Sequence, residues 1–275
     1  MSVDPAVLVL LTVISAATPL LYAALGELVV ERSGVLNLGV EGMMLAGAVT
    51  AFATAVGTGS GAAGIVAGAL AGAAMALIFA VLTVSLLSNQ VATGLALTIF
   101  GIGLSALVGS GFVGVPTMRL PRLNVPGLTD LPVVGPLLFS HDFLIYLSIA
   151  MTVAVAWFLN RTRAGMVLRA VGESHDAAHS IGYPVIRIRY LAILFGGIMS
   201  GLGGAFLSLS YTPMWVEGMT AGRGWIALAL VVFSAWRPGR LLLGAYLFGG
   251  VTIVQLYAQG TGAYEGPAQL LSMLP

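Results

Sequence analysis

Long apolar runs separated by short polar connections decide what this chain can fold into. In hydrocarbon every backbone N–H and C=O must be satisfied by the chain itself, so a crossing segment is a helix unless it closes a barrel. A crossing helix takes about 20 apolar residues. Residues 7–25, 35–57, 61–87, 90–111, 143–159, 188–211 and 241–258 approach or meet that length. Residues 225–236 are too short to cross alone and read as a half-span, or as a span that begins within 219–224. Residues 268–275 open a further apolar run, read as the start of one more helix beyond the sequence given. The expected fold is an all-α polytopic membrane protein: one transmembrane domain over residues 1–275, with about eight to nine membrane helices including broken or short spans.

Composition agrees. Only 8% of the residues are charged, where a soluble domain carries roughly a quarter. Glycine-rich runs such as 61–74 let helix backbones approach closely in lipid. The chain has no cysteine, which excludes disulfides and thiolate metal sites. A net charge of +1 offers nothing to attract nucleic acid. No basic stretch precedes the first apolar run, so no cleavable leader is expected. No Walker A pattern and no catalytic constellation are present, so the chain is not expected to be an enzyme.

Residues 160–189, NRTRAGMVLRAVGESHDAAHSIGYPVIRIR, form one long polar island. They hold Arg161, Arg163, Arg169, Arg187 and Arg189, five of the eleven basic residues, all of which are arginine. Arginine beside membrane spans marks the cytoplasmic face. Placing the island inside puts Arg32, Arg237 and Arg240 inside as well, eight arginines in all, and leaves Arg119, Arg122 and Arg223 outside with the N-terminus and Asp4. The connection 112–142, with Pro116, Pro121, Pro126, Pro132 and Pro136, is then an external cap. Within the island Ser174 is positioned to cap a short helix, 175–181, which Gly182 and Pro184 end. That helix reads either as an incidental turn in a topology-setting loop or as a knob for a cytoplasmic partner. His175 and His179 are spaced i, i+4, but no third metal ligand accompanies them.

The second informative stretch is 31–44, ERSGVLNLGVEGMM. Ser33-Gly34 reads as a helix start, which places Asn37 and Glu41 on one face. An ionisable group inside a span faces the bundle interior or a water-filled cavity. Glu41 therefore reads either as a carboxylate pinned by neighbouring N–H groups beside a broken helix, or as a lining of a solute pathway. Gln90, Thr93 and Thr98 form a milder polar series, read as contacts between helices, with Gln90 and Thr98 also candidates for the pathway. Tyr211, Trp215 and Trp225 read as an interfacial aromatic belt, Glu217 with Arg223 as the rim of a docking surface, and His141 as interfacial.

Taken together these stretches resemble ABC-importer permeases of the nucleoside and simple-sugar group, within the branched-chain amino-acid and ribose permease superfamily. The residues that carry the resemblance are GVLNLGVEGMMLAGA at 34–48, NQVATGLAL at 89–97, LPVVGPLLF at 131–139, RTRAGMVLRAVGESHDAAHSIGYPV at 161–185, and GRGWIALALVVFSAW at 222–236 followed by GAYLFGG. They cover nearly the whole chain, and their combination is specific. Thr98 departs from the pattern, since many relatives carry asparagine there.

The resemblance implies an ABC importer permease fold in a bacterial cytoplasmic (inner) membrane, multi-pass, and a role in import. It implies partners: an ABC ATPase subunit, often a tandem polypeptide with two ATPase halves, a second paralogous permease in a heterodimer, and an extracytoplasmic substrate-binding lipoprotein. ATP and magnesium would be bound on the ATPase, with no cofactor on this chain. The island becomes the coupling loop, with Gly172, Glu173, Ser174, Ala177, Ala178 and Gly182 at the ATPase contact, and Asn37, Glu41, Gln90 and Thr98 along the substrate pathway. Nucleosides are the first substrate reading; riboflavin, a simple sugar or another small polar solute is the alternative. A secondary transporter would need acidic residues within the spans beyond Glu41, and none is apparent. A membrane scaffold is disfavoured by the glycine-rich broken spans.

Overall fold

The structure, a computed structural model, describes residues 5–116, 119–123 and 134–261. The helices are α1 Pro5–Arg32, α2 Val40–Thr58, α3 Gly61–Ala80, α4 Gln90–Gly109, α5 Val134–Phe139, α6 Phe143–Arg161, α7 Arg163–Glu173, α8 His175–Ser180, α9 Val185–Phe206, α10 Arg223–Phe233 and α11 Pro238–Thr261. Five-residue π-helical turns extend α3 through Ser85 and α9 through Tyr211. Among the described residues seven helices are long and apolar enough to cross a membrane, and α10 is a shorter apolar helix. The chain is thus all-α and polytopic, as the apolar runs predict. The run at 268–275 and residues 117–118 and 124–133 of the proline-rich connection lie outside the described residues.

Helices α2 and α9 form the centre: 72% of the most apolar stretch of each is buried, against 28% in α4 and α11. Association in lipid rests on close packing rather than on expelling water, so small residues line the seams. Gly64, Gly68 and Gly72 fall on one face of α3, four residues apart: Gly64 meets Ala51 and Ala55 of α2, Gly68 meets Gly47 of α2, and Gly72 meets Gly197 and Gly201 of α9. A Cβ on Gly47 would lie 2.6 Å from the Cα of Gly201, and one on Gly72 would lie 2.8 Å from the Gly201 nitrogen. A Cβ on Gly201 would overlap the Gly68 carbonyl.

Helix α1 continues to Arg32, seven residues past the expected end at residue 25. The reason is packing: Leu28, Val29 and Val30 are buried and carry the helix through Glu27. On the opposite end of the bundle Tyr22 donates to the Leu144 carbonyl at 2.7 Å, which ties α1 to α6. Asp142 caps α6 by accepting from Ile145 N–H at 3.1 Å and also pairs with the Ser210 hydroxyl. One expectation fails here. Trp215 is 2% exposed, because Gly109 admits its indole and Val113 bridges to its backbone, so it belongs to the core and not to an interfacial belt. His141 is buried too, its ring at 2.8 Å from the Leu137 carbonyl.

Candidate functional site

Two interrupted segments meet inside the bundle. The first is the crossover 33–39. Instead of a helix starting at Ser33-Gly34, the chain stays non-helical until Val40. Asn37 therefore shares no helical face with Glu41. Its side-chain Oδ1 accepts Gly39 N–H at 2.9 Å, a local turn that competes with helix, and its own N–H donates to Oε1 of Glu27 at 2.9 Å. Helix α4 supplies the other partners. Gln90 Oε1 accepts Leu36 N–H, and the Thr98 hydroxyl donates to the Leu38 carbonyl, each at 2.9 Å. The approach is close because a Cβ on Gly94 would lie 2.8 Å from the Leu38 nitrogen. Side chains from two helices thus satisfy backbone that has no ladder of its own, as burial demands.

The second segment is α10. Its eleven residues span about 16 Å, roughly half of a hydrocarbon core. Its far end is fixed at the Arg32 end of α1: the Trp236 indole donates to Glu31, and Arg32 donates to the Trp236 carbonyl at 3.2 Å. Ala235 and Trp236 there adopt φ of 51° and 54°, a left-handed pair of non-glycine residues held by these bonds. Its near end starts within the bundle and is held by Glu41. The carboxylate accepts from the Thr220 hydroxyl at 2.5 Å, from Gly222 N–H at 2.9 Å and from Gly224 N–H at 2.6 Å. Gly222 carries φ +82°, and a Cβ on Gly224 would lie 2.6 Å from the Glu41 Cα, so both positions need glycine. Glu41 is in the first turn of α2 and faces the first turn of α10. Two helix N-termini, each with partial positive charge, converge on one carboxylate.

Asn37, Glu41 and Thr98 are buried, at 1%, 6% and 5% exposure, and Gln90 is half-buried. The structure brings all four to these two interruptions, each with a polar atom bonded within the chain. The Arg223 guanidinium donates to the carbonyls of Met219 and Thr220 at 3.2 Å and lies 5.7 Å from the Tyr211 ring. It therefore fastens the turn before α10.

The polar island folds as two helices where one was expected. Thr162 caps α7 by accepting Gly165 N–H at 3.0 Å, and Gly165, Leu168 and Val171 form its buried stripe. Gly172 lets α7 press on the end of α1, where a Cβ would overlap the Arg32 carbonyl. Ser174 caps α8 by accepting Ala177 N–H at 3.3 Å, and Gly182 at φ +90° closes it with Tyr183 N–H on the Ala178 carbonyl at 3.1 Å. Ala178 does not face outward. It is 2% exposed and packs with Val171 and Val185, while His175, Asp176, Ala177, His179 and Ser180 of α8 are exposed.

Residues 9–274 match the family described as branched-chain amino acid transport system, permease component. The chain belongs to this permease family. Similar proteins include the putative glucose ABC transporter permease TsgC13 of Haloferax volcanii, 46% identical over 90% of this chain and 76% of that protein. The guanosine ABC transporter permease NupQ of Bacillus subtilis is 32% identical over 85% of this chain and 77% of its own length. The nucleoside ABC transporter permease NupC of Lactococcus lactis is 30% identical over 94% and 86%. The protein is accordingly an ABC transporter permease, a multi-pass protein of the cytoplasmic membrane and a transport subunit rather than an enzyme.

Sequence reasoning missed one acidic residue of the permease. Glu27 is 1% exposed within α1 and holds the crossover, so acidic residues inside the spans are not limited to Glu41. The signal was present, since Glu27 is flanked by Leu25 and by Leu28 to Val30. It was hidden by ending the first span at residue 25.

Proposed function

We propose that this permease is the transmembrane subunit of an ATP-driven importer for nucleosides. The observation that carries a transport role is the meeting of two interrupted segments at Glu41. Non-helical backbone at membrane depth is tolerated where it is buried in protein or lines a water-filled cavity, and broken helices border the solute site in many transporters. Asn37, Glu41, Gln90 and Thr98 act in the pathway by holding the crossover and α10 in register. The nucleoside assignment is supported by the relatives named for guanosine and for nucleosides. A second reading, a simple sugar, is favoured by the relative named for glucose.

The partners in this reading are a tandem ABC ATPase that hydrolyses ATP with magnesium, a paralogous permease forming a heterodimer, and an external binding lipoprotein. Residues 160–189 face the cytoplasm and 112–142 the exterior, a placement supported by Arg32, Arg169 and Arg237 gathering at one end of the bundle. The α8 knob meets the ATPase through Glu173, Ala177 and the Gly182 turn, while Ser174 caps it and Gly172 and Ala178 brace it from within. Uptake by the reconstituted complex decides the substrate: labelled guanosine is expected to enter with ATP, and uptake of glucose alone would replace the nucleoside reading with the sugar one. For sidedness, a cysteine at exposed Ser180 in this cysteine-free chain is expected to react with an impermeant reagent only in opened cells; labelling in intact cells would invert the topology.

A further inference from the structure

We infer that the arginine-lined pocket at the Arg32 end of the bundle binds the phosphate of an anionic phospholipid. The pocket, about 410 Å³, is enclosed by the ends of α1, α6 and α7 and the first turn of α11. Arg32, Arg169 and Arg237 line it with Asn160, and no acidic side chain does. Gly239 also lines it, in the first turn of α11, where free N–H groups favour an anion. Two of the guanidinium groups are incompletely used: among the described residues, Nε of Arg32 and Nε of Arg169 are both buried and have no hydrogen-bond partner. Three cations around one cavity repel each other, and no carboxylate lines it to offset them, so the site favours an anionic oxygen ligand. The nearby acids do not fill it. Glu31 accepts from the Trp236 indole, and Glu173 borders a neighbouring pocket of about 370 Å³ that shares Arg32 and Arg169.

A phosphate matches this donor set, because guanidinium groups bind phosphate oxygens in pairs. The lipid source follows from the other wall. Ala156 and Leu159 of the α6 span reach the pocket, so it opens at the level where a spanning helix meets the headgroups. On the orientation proposed above this is the cytoplasmic leaflet, and binding itself does not depend on that orientation. A bound lipid would bridge α1, α7 and α11 beside the coupling loop.

The test is a titration of the purified transporter complex in uncharged detergent, followed by native mass spectrometry. Phosphatidylglycerol is expected to bind at least about tenfold more tightly than phosphatidylcholine, and R169Q and R237Q are each expected to weaken it about fivefold, the effect of one basic charge near a lipid surface. R237K, which keeps the charge, should retain most of the preference and controls for misfolding. Equal binding of the two lipids by the wild-type complex would overturn the proposal, as would an undiminished preference in R169Q and R237Q. Loss of the preference on adding inorganic phosphate, with lipid-free complex binding phosphate equally well, would assign the pocket to a soluble phosphate compound instead.

Discussion

Replacing Glu41 by alanine removes the carboxylate that gathers three donors at the start of α10. Three donors lose their acceptor: the Thr220 hydroxyl, Gly222 N–H and Gly224 N–H. Hydrogen bonds to a charged group contribute about 1.5–3 kcal/mol each, and a carboxylate at a helix N-terminus adds up to about 2 kcal/mol in a partly buried site. The sum runs from about 5 to 11 kcal/mol, and relaxation of the turn and entering water recover part of it. A net loss of about 4 kcal/mol shifts local opening roughly a thousandfold. Glu41→Gln keeps one carbonyl oxygen and is expected to fall between. The assay is hydrogen exchange of peptides covering 218–233 in the purified complex, beside transport in proteoliposomes. Glu41→Ala is expected to speed exchange of that segment at least a hundredfold while α3 and α9 keep their protection, to leave assembly with the partners intact, and to cut transport at least tenfold. Unchanged exchange at 218–233 would refute the latch. Poor assembly with normal transport in the assembled fraction would make Glu41 a folding residue alone.

Gly201→Ala is expected to lower thermal stability by about 1–3 kcal/mol or more through overpacking against the Gly68 carbonyl, whereas Gly57→Ala, with nothing within 4 Å, should be silent; melting curves in detergent compare them. Ala177→Arg is expected to leave insertion intact and abolish substrate-stimulated ATP hydrolysis, because Ala177 is on the outer face of α8. Ala178→Arg should instead disrupt α8 itself, since it would bury an unpaired charge against Val171 and Val185. Limited proteolysis of 174–184 separates the two variants, and equal cleavage of both would contradict the inward placement of Ala178.

The spans and the short α10 were legible because apolar length is a local property, and so was the α8 cap, because Ser174 and Gly182 act within a few residues. What was not legible depends on partners far along the chain. The helix start at Ser33-Gly34 is locally reasonable, but Glu27 and Gln90 reach in from two helices and reward an extended backbone. Trp215 reads as interfacial until Gly109 opens a slot for it 106 positions upstream. Ala178 and Ala177 are equivalent to local reasoning, and only the packing of α7 against α9 separates them. Glu41 was readable as a pinned carboxylate or a pathway group; its three donors are 179 to 183 residues away, so no spacing rule could name them.

The glycine seam between α3 and α9 has a mechanical consequence. An interface of interlocked side chains can slip by rotamer hops, but backbone on backbone leaves nothing to rearrange, so Gly68, Gly72, Gly197 and Gly201 bind the two helices into one stiff beam. The turn Gly182–Pro184 joins α8 directly to the start of that beam. On the coupling role proposed above, a push on α8 would travel along α9 with little slack, and α3 would be carried along with it. Compliance is left to the crossover 33–39 and to the turn before α10, where hydrogen bonds, which break and reform, take the place of steric contact.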